Sequence, residues 1–242
     1  MKTDLLAFGV HPDDVELGCG GVLIREKKNG KTTGIIDLTR GELGTRGTAE
    51  TRKSEAADAA KILQLDVREN LALADGFFEN NEASQRRVIR VLRKYRPEII
   101  ICNAPEDRHP DHGRAAILVS DAAFLSGLVK IETEDEGESQ KPWRPKYVFH
   151  FIQDRYLKPD FVIDISEEFE QKIESVKAYR TQFFNPEATE PATYISSPEF
   201  LDSIVARGAM FGKMIGVKYA EGFISKKMIG FSSFDALIKQ NT

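Results

Sequence analysis

The chain has four histidines, and three of them fall in two look-alike tetrapeptides. His11-Pro12-Asp13-Asp14 lies near the amino terminus, and His109-Pro110-Asp111-His112 lies near the middle; His150 stands apart. Imidazole and carboxylate are ligands that zinc accepts, and a catalytic zinc site takes three protein ligands and keeps one position open. His11 and Asp14 are spaced so that a single turn aims both at one point, and the intervening proline pre-shapes that turn. His112 is the candidate third ligand, delivered from a facing loop. Asp13, beside a ligand, is placed to act as general base on water activated by the metal. His109, one turn from His112, is a candidate for stabilising an oxyanion, and Asp111 for orienting an imidazole from behind. A single HPDD is weak by itself, because Asp-rich turns after strands also serve as helix caps. The pair carries the metal reading.

Both motifs directly follow apolar segments. Thr3–Val10, Thr32–Leu38, Val67–Leu73 and Glu98–Cys102 read as strands. Between and after them, Leu17–Asn29, Ala49–Leu65, Gln85–Tyr95 and Arg114–Phe124 read as helices, with Gly30 a helix stop. This β-α alternation predicts an α/β, Rossmann-like, doubly wound sheet, mostly parallel, with helices on both faces. In strand order 3-2-1-4, strands 1 and 4 are neighbours, and the two motifs face each other across the crevice at their carboxyl ends. The second half is less regular. Glu132–Lys141 reads as an exposed acidic loop, Tyr147–Gln153 and Phe161–Ile165 as strands, and Glu167–Tyr179 as a helix capped by Ser166. Leu201–Met214 reads as a last helix, and the final 25 or so residues show only a weak pattern. The expectation is one domain over 1–242: a Rossmann-like core in 1–128, and strands and helices in 129–242 that complete the sheet and pocket.

Composition narrows the function classes. The 242 residues are 41% hydrophobic and 30% charged, which is globular, not disordered. Lys and Arg number 34 against 38 Asp and Glu, for a net charge of −4. That balance argues against a general nucleic-acid binder, which needs a basic face. No apolar run spans a bilayer and no signal-peptide pattern opens the chain, so no membrane partner and a cytoplasmic location are expected. Two cysteines, Cys19 and Cys102, make no disulfide framework and read as core. Gly18, Gly20 and Gly21 do not complete a G-x-G-x-x-G fingerprint, so a non-catalytic nucleotide-binding module would leave the clustered histidines unexplained. These glycines are expected to allow close helix–strand packing instead.

GVHPDDVELGCGG near the start, with RHPDHGRA near the middle, resembles the PIG-L/LmbE family of zinc-dependent N-acetylglucosamine deacetylases. The resemblance implies one Zn²⁺ per subunit on His11, Asp14 and His112, with Asp13 as general base and His109 assisting the transition state. Residues 38–56, LTRGELGTRGTAETRKSEA, and Asp107-Arg108 resemble the bacillithiol-biosynthesis branch, which acts on N-acetylglucosaminyl malate. A Tyr that often precedes HPDH in the mycothiol-pathway relatives is replaced here by Asp107. The branch also implies a homo-oligomer, with a hexamer as its expected size.

A small-molecule glycoside with a dicarboxylate aglycone calls for arginine, whose planar guanidinium grips carboxylates in pairs. Arg46, Arg52 and Arg108 lie in or beside the two site loops and are candidate substrate contacts. Arg52 on a solvated helix face and Arg46 as loop decoration are the bland alternatives. Glu42 is a candidate acceptor for sugar hydroxyls or, equally, a turn cap. His150, alternating with apolar residues, reads as a core histidine, with a place at the pocket rim as the alternative. Tyr194 and the Phe183-Phe184 pair suit either a sugar pocket or an oligomer contact. Another N-acetylglucosaminide, such as a chito-oligosaccharide or a glycolipid head group, is the alternative substrate.

Overall fold

A computed structural model describes residues 1–187 and 189–238. The elements run β1 (Leu5–Gly9), α1 (Asp14–Lys28), β2 (Thr33–Thr39), α2 (Ala49–Leu63), β3 (Val67–Leu73), α3 (Glu82–Tyr95), β4 (Ile99–Cys102) and α4 (Pro110–Leu125). A two-rung hairpin, β5 (Glu134–Asp135) and β6 (Glu138–Ser139), occupies the acidic stretch expected to be an exposed loop. Then follow β7 (Tyr147–Phe151), β8 (Phe161–Asp164), α5 (Phe169–Lys177), a 3-10 turn (Tyr194–Ser196), α6 (Pro198–Ile215), β9 (Ala220–Ser225) and α7 (Asp235–Ile238).

The main sheet has the order β3-β2-β1-β4-β7-β9-β8, and its first five strands are parallel. The expected 3-2-1-4 order is therefore present, with β1 and β4 adjacent. β1 is buried on both faces, as a parallel strand must be when helices cover both sides. Leu6 and Phe8 pack with Val88, Leu92 and Leu118 under α3 and α4, while Leu5 and Ala7 pack with Val15, Leu23 and Phe169 under α1 and α5.

Three boundaries differ from expectation for local reasons. α1 begins at Asp14 and α4 at Pro110, so the first motif leads into its helix through the cap Asp13, while the second supplies the cap and first residues of α4. Proline at the first position of α4 and acidic side chains in the first turns of both helices suit those starts. α5 begins at Phe169, and Ser166 does not cap it; the Ser166 hydroxyl instead accepts the Lys218 and Tyr219 amides. β9 inserts antiparallel between β7 and β8. Its strand pattern is hidden by Gly222, where a Cβ would meet the Phe211 ring at 2.8 Å, and by Glu221, a buried carboxylate.

Close packing at α1 accounts for two of its glycines. A Cβ on Gly18 would lie 2.1 Å from the Phe151 ring, and one on Gly21 would lie 2.7 Å from Ile165. Gly20 has ordinary room, its nearest neighbour being 3.7 Å away. Gly30 adopts φ +78° after the helix end, as expected of a stop. Cys19 and Cys102 are buried and free. No helix among the described residues is long and apolar enough to cross a membrane.

Candidate active site

The carboxyl ends of β1 and β4 deliver the two motifs to one cleft of about 350 Å³. The ring centroids of His11 and His112 are 5.8 Å apart, and those of His11 and His109 are 4.8 Å apart. The tetrapeptides thus converge although almost a hundred positions separate them.

Asp14 is the most tightly held carboxylate in the cleft. Its Oδ2 accepts the Val10 and His11 amides at 2.9 and 3.0 Å and the Asn103 side-chain amide at 3.0 Å. Its Oδ1 accepts the Gln153 amide at 2.7 Å. Burial works against its charge, but the neighbouring His112 and His11 and these donors hold it well below the usual carboxylate range.

Each flanking imidazole is oriented by a carboxylate on its far side. His11 Nε2 meets Asp75 Oδ1 at 2.9 Å, which leaves Nδ1 turned to Asp14 Oδ2 at 3.7 Å. His112 Nδ1 meets Asp107 Oδ2 at 2.7 Å, which leaves Nε2 turned to Asp14 Oδ1 at 3.3 Å. Bonds of about 2.0–2.2 Å to one tetrahedral cation would set neighbouring donor atoms about 3.3–3.6 Å apart. His112 Nε2 and Asp14 Oδ1 fit that spacing, and His11 Nδ1 stands slightly beyond it from the other Asp14 oxygen. His11, His109 and His112 also bring one donor atom each within 4.8 Å of one another, as do His11, Asp75 and Asp111. His112 is pushed up to about 10: burial disfavours its charge, but Asp14 and Asp107 outweigh it. The same two carboxylates would favour a metal cation at Nε2.

Asp13 and His109 line the same cleft. Asp13 is buried, and that burial pushes its carboxyl up to about 7 despite the Arg52 guanidinium beside it. Its backbone has φ 139°, a conformation costly for any residue but glycine. His109 caps α4, its Nδ1 accepting the Asp111 amide at 3.3 Å, so the proton of the neutral ring sits on Nε2. Burial and the neighbouring imidazoles lower the His109 pKa, favouring this neutral donor form.

Several expected roles are redistributed. Asp111 makes no hydrogen bond to an imidazole among the described residues; it accepts the Gly76 amide and pairs with Arg114, bracing the turn after Asp75. Glu42 is exposed and lies outside the cleft lining, and it accepts the Arg40 and Asp75 amides, which is the turn-capping alternative. Arg52 is neither solvated nor open to a substrate carboxylate through Nη2, which donates to Asp13 and to the Pro12 carbonyl. Arg108 lines the cleft but binds Asp154 at 2.8 Å and covers the Tyr194 ring. Arg46 is buried at the cleft, 3.5 Å from Glu190, with Nη2 unpartnered among the described residues.

Tyr194 lines the cleft, Phe183 is core and Phe184 is exposed. His150 is a core histidine whose Nδ1 donates to the Asn103 carbonyl at 2.8 Å. Sequence reasoning missed Asp75, Asn103 and Gln153 and gave Asp107 no orienting role. Asp75, Asn103 and Gln153 share one signal: each lies within two residues of the carboxyl end of a parallel strand, β3, β4 or β7.

The PIG-L family profile, described as GlcNAc-PI de-N-acetylase, matches residues 6–123, which include both motifs. Diacetylchitobiose deacetylase of Thermococcus kodakarensis is 28% identical over 229 residues, covering 90% of this chain and 81% of that protein. Probable N-acetyl-alpha-D-glucosaminyl L-malate deacetylase 2 of Bacillus subtilis is 26% identical over 199 residues, covering 75% of this chain and 84% of that protein. The crystal structure of a conserved protein from Thermus thermophilus, TT1542, matches with a TM-score of 0.85 at 37% identity, over 96% of this chain and 98% of that one. With the family profile running through both histidine motifs and the whole fold shared with a solved relative, the chain belongs to the PIG-L/LmbE deacetylase family.

Proposed function

We propose that this protein hydrolyses the acetamide of an N-acetylglucosaminide, using a divalent metal, with Zn²⁺ the expected ion. The observation that carries this reading is the convergence of His11, Asp14 and His112 beside the Asp13 carboxylate in one cleft. A metal on the first three would supply Lewis acidity to the acetyl carbonyl and to the attacking water. Asp13 takes the proton of that water as its oxygen bonds to the acetyl carbon. His109 Nε2–H donates to the oxyanion that develops on the former carbonyl oxygen. The carbon–nitrogen bond then breaks, Asp13 returns the proton to the leaving amine, and acetate and the free glucosaminide remain.

The aglycone we infer is malate. Its support is the resemblance of residues 38–56 and the buried Arg46 Nη2, a guanidinium donor at the cleft with no partner among the described residues. A second reading, diacetylchitobiose, draws support from the relative matched over 90% of the chain and from the carboxylate partners already held by Arg52 and Arg108. Acetate release from both glycosides by metal-loaded protein decides between them by kcat/KM. Faster turnover of the neutral disaccharide contradicts the malate assignment. Asp13→Asn is expected to retain metal and lose about 10²–10⁴-fold in kcat; loss of the metal together with activity would make Asp13 a ligand. A cytoplasmic homo-oligomer, hexameric by resemblance, belongs to the same reading, and analytical ultracentrifugation measures its size.

A further inference from the structure

We infer that Arg52 is a positioning residue for the general base, acting by clamping the turn that presents Asp13. This rests on the deacetylase reading and assigns Arg52 a role within it. Arg52 lies in the first turns of α2, whose start is fixed by Thr48 and Thr51. Its side chain runs back into the protein and is only 5% exposed. Nη2 donates twice, to Asp13 Oδ2 at 2.8 Å and to the Pro12 carbonyl at 2.7 Å. One planar cation therefore holds the peptide before Asp13 and the side chain of Asp13 together.

The turn needs such a clamp. Asp13 sits at φ 139°, and a strained non-glycine backbone persists only where its surroundings over-determine it. From one side, Asp14 Oδ2 holds the Val10 and His11 amides. From the other, only Arg52 among the described residues holds the Pro12 carbonyl and the Asp13 carboxylate. With Oδ2 fixed, Oδ1 has no hydrogen-bond partner among the described residues, and Asp13 lines the cleft. One oxygen is thus held, and the other is left for water.

The loop opposite is shaped to the guanidinium. Gly41 has φ +65°, and a Cβ there would stand 2.1 Å from Arg52 Nη1 and 2.7 Å from its Cζ. Any side chain at position 41 would push the clamp off the turn. Arg46 and Arg52 both line the cleft and each keeps one buried guanidine nitrogen without a partner among the described residues, but of the two it is Arg52 that holds the Asp13 turn.

The test compares Arg52→Ala, Arg52→Lys and Gly41→Ala with wild type, each metal-loaded, scoring kcat and KM per equivalent of bound metal on whichever glycoside the wild type turns over. A displaced base of this kind is expected to cost about a hundredfold in kcat. The expected pattern is a kcat loss of that order for Arg52→Ala with KM little changed, partial recovery by Lys, and a kcat loss in Gly41→Ala although Arg52 is retained. Gly41→Ala and Arg52→Lys keep the test alive if the alanine variant of Arg52 does not fold. A raised KM with unchanged kcat marks a substrate contact and overturns the inference. So does full kcat in Gly41→Ala. Wild-type protein releasing acetate from neither glycoside would instead sink the deacetylase reading, and the inference with it.

Discussion

Asp107→Asn tests how the cleft prepares an imidazole for a metal. Asp107 accepts three hydrogen bonds: Oδ1 takes the Arg108 and Arg155 amides at 2.8 and 2.9 Å, and Oδ2 takes His112 Nδ1–H at 2.7 Å. Burial pushes its carboxyl up, but the His112 bond and the amides win and hold it below its ordinary range, so it is ionised. In the asparagine variant the carbonyl oxygen keeps both backbone amides, and the –NH₂ group then faces His112 Nδ1. Two donors cannot share that space. His112 must either turn or, when neutral, carry its proton on Nε2, and both remove the Nε2 lone pair that a metal would need. Loss of an orienting partner of this kind costs about 10–100-fold in metal affinity, which is about 1.4–2.7 kcal/mol. A charge-assisted hydrogen bond is worth about 1.5–3 kcal/mol, so the two figures agree. Competition with a chromophoric chelator measures the affinity, and acetate release against metal concentration measures its consequence. The half-saturating metal concentration should rise by that factor, while turnover at saturating metal returns close to wild type. Unchanged affinity would refute the assignment of His112 Nε2 to the metal. Turnover lost at every metal concentration would place Asp107 in the chemistry itself.

Two further outcomes follow from packing and burial. Gly18→Ala drives a methyl to 2.1 Å from the Phe151 ring, and overpacking of a buried site costs about 1–3 kcal/mol. That outweighs the helix propensity gained, about 1 kcal/mol at most. The urea midpoint should fall with the slope unchanged, and an unchanged midpoint would mean that α1 and β7 are not in this contact. His150 is held neutral: burial lowers its pKa from 6.5, although the Asn103 carbonyl favours the proton it donates. An unfolded chain binds that proton more readily, so its stabilisation is present above pH 6.5 and fades as pH falls below it. His150→Gln should therefore flatten the loss of stability between about pH 7 and 5; an unaltered slope in urea midpoints across that range would contradict this.

The fold and the candidate metal site differ in how far the chain spells them out. β1 to β4 were legible because each is a short apolar run closed by polar turn residues, and the helices between them leave few parallel topologies open. His11, Asp14 and His112 were legible because two matched motifs follow two strands that this topology makes neighbours. Asp75 and Asn103 were not, because a single polar residue after a strand is ordinary, and only the fold shows that one orients His11 while the other locks Asp14. Arg52 was opaque for a different reason: a charged residue on an Ala-rich helix has the same pattern whether it meets water or Asp13. β9 escaped notice because Glu221 breaks its apolar run, yet that carboxylate is neutralised inside by Lys172 and by the Gly21 and Val22 amides of α1.

Anomalous diffraction from metal-loaded crystals, collected above and below the metal absorption edge, addresses the convergence of the two motifs most directly. A single strong peak per chain, bounded by His11, Asp14 and His112 and absent from His112→Ala crystals, is the predicted result. A peak held by other residues, or none at full metal loading, would contradict it.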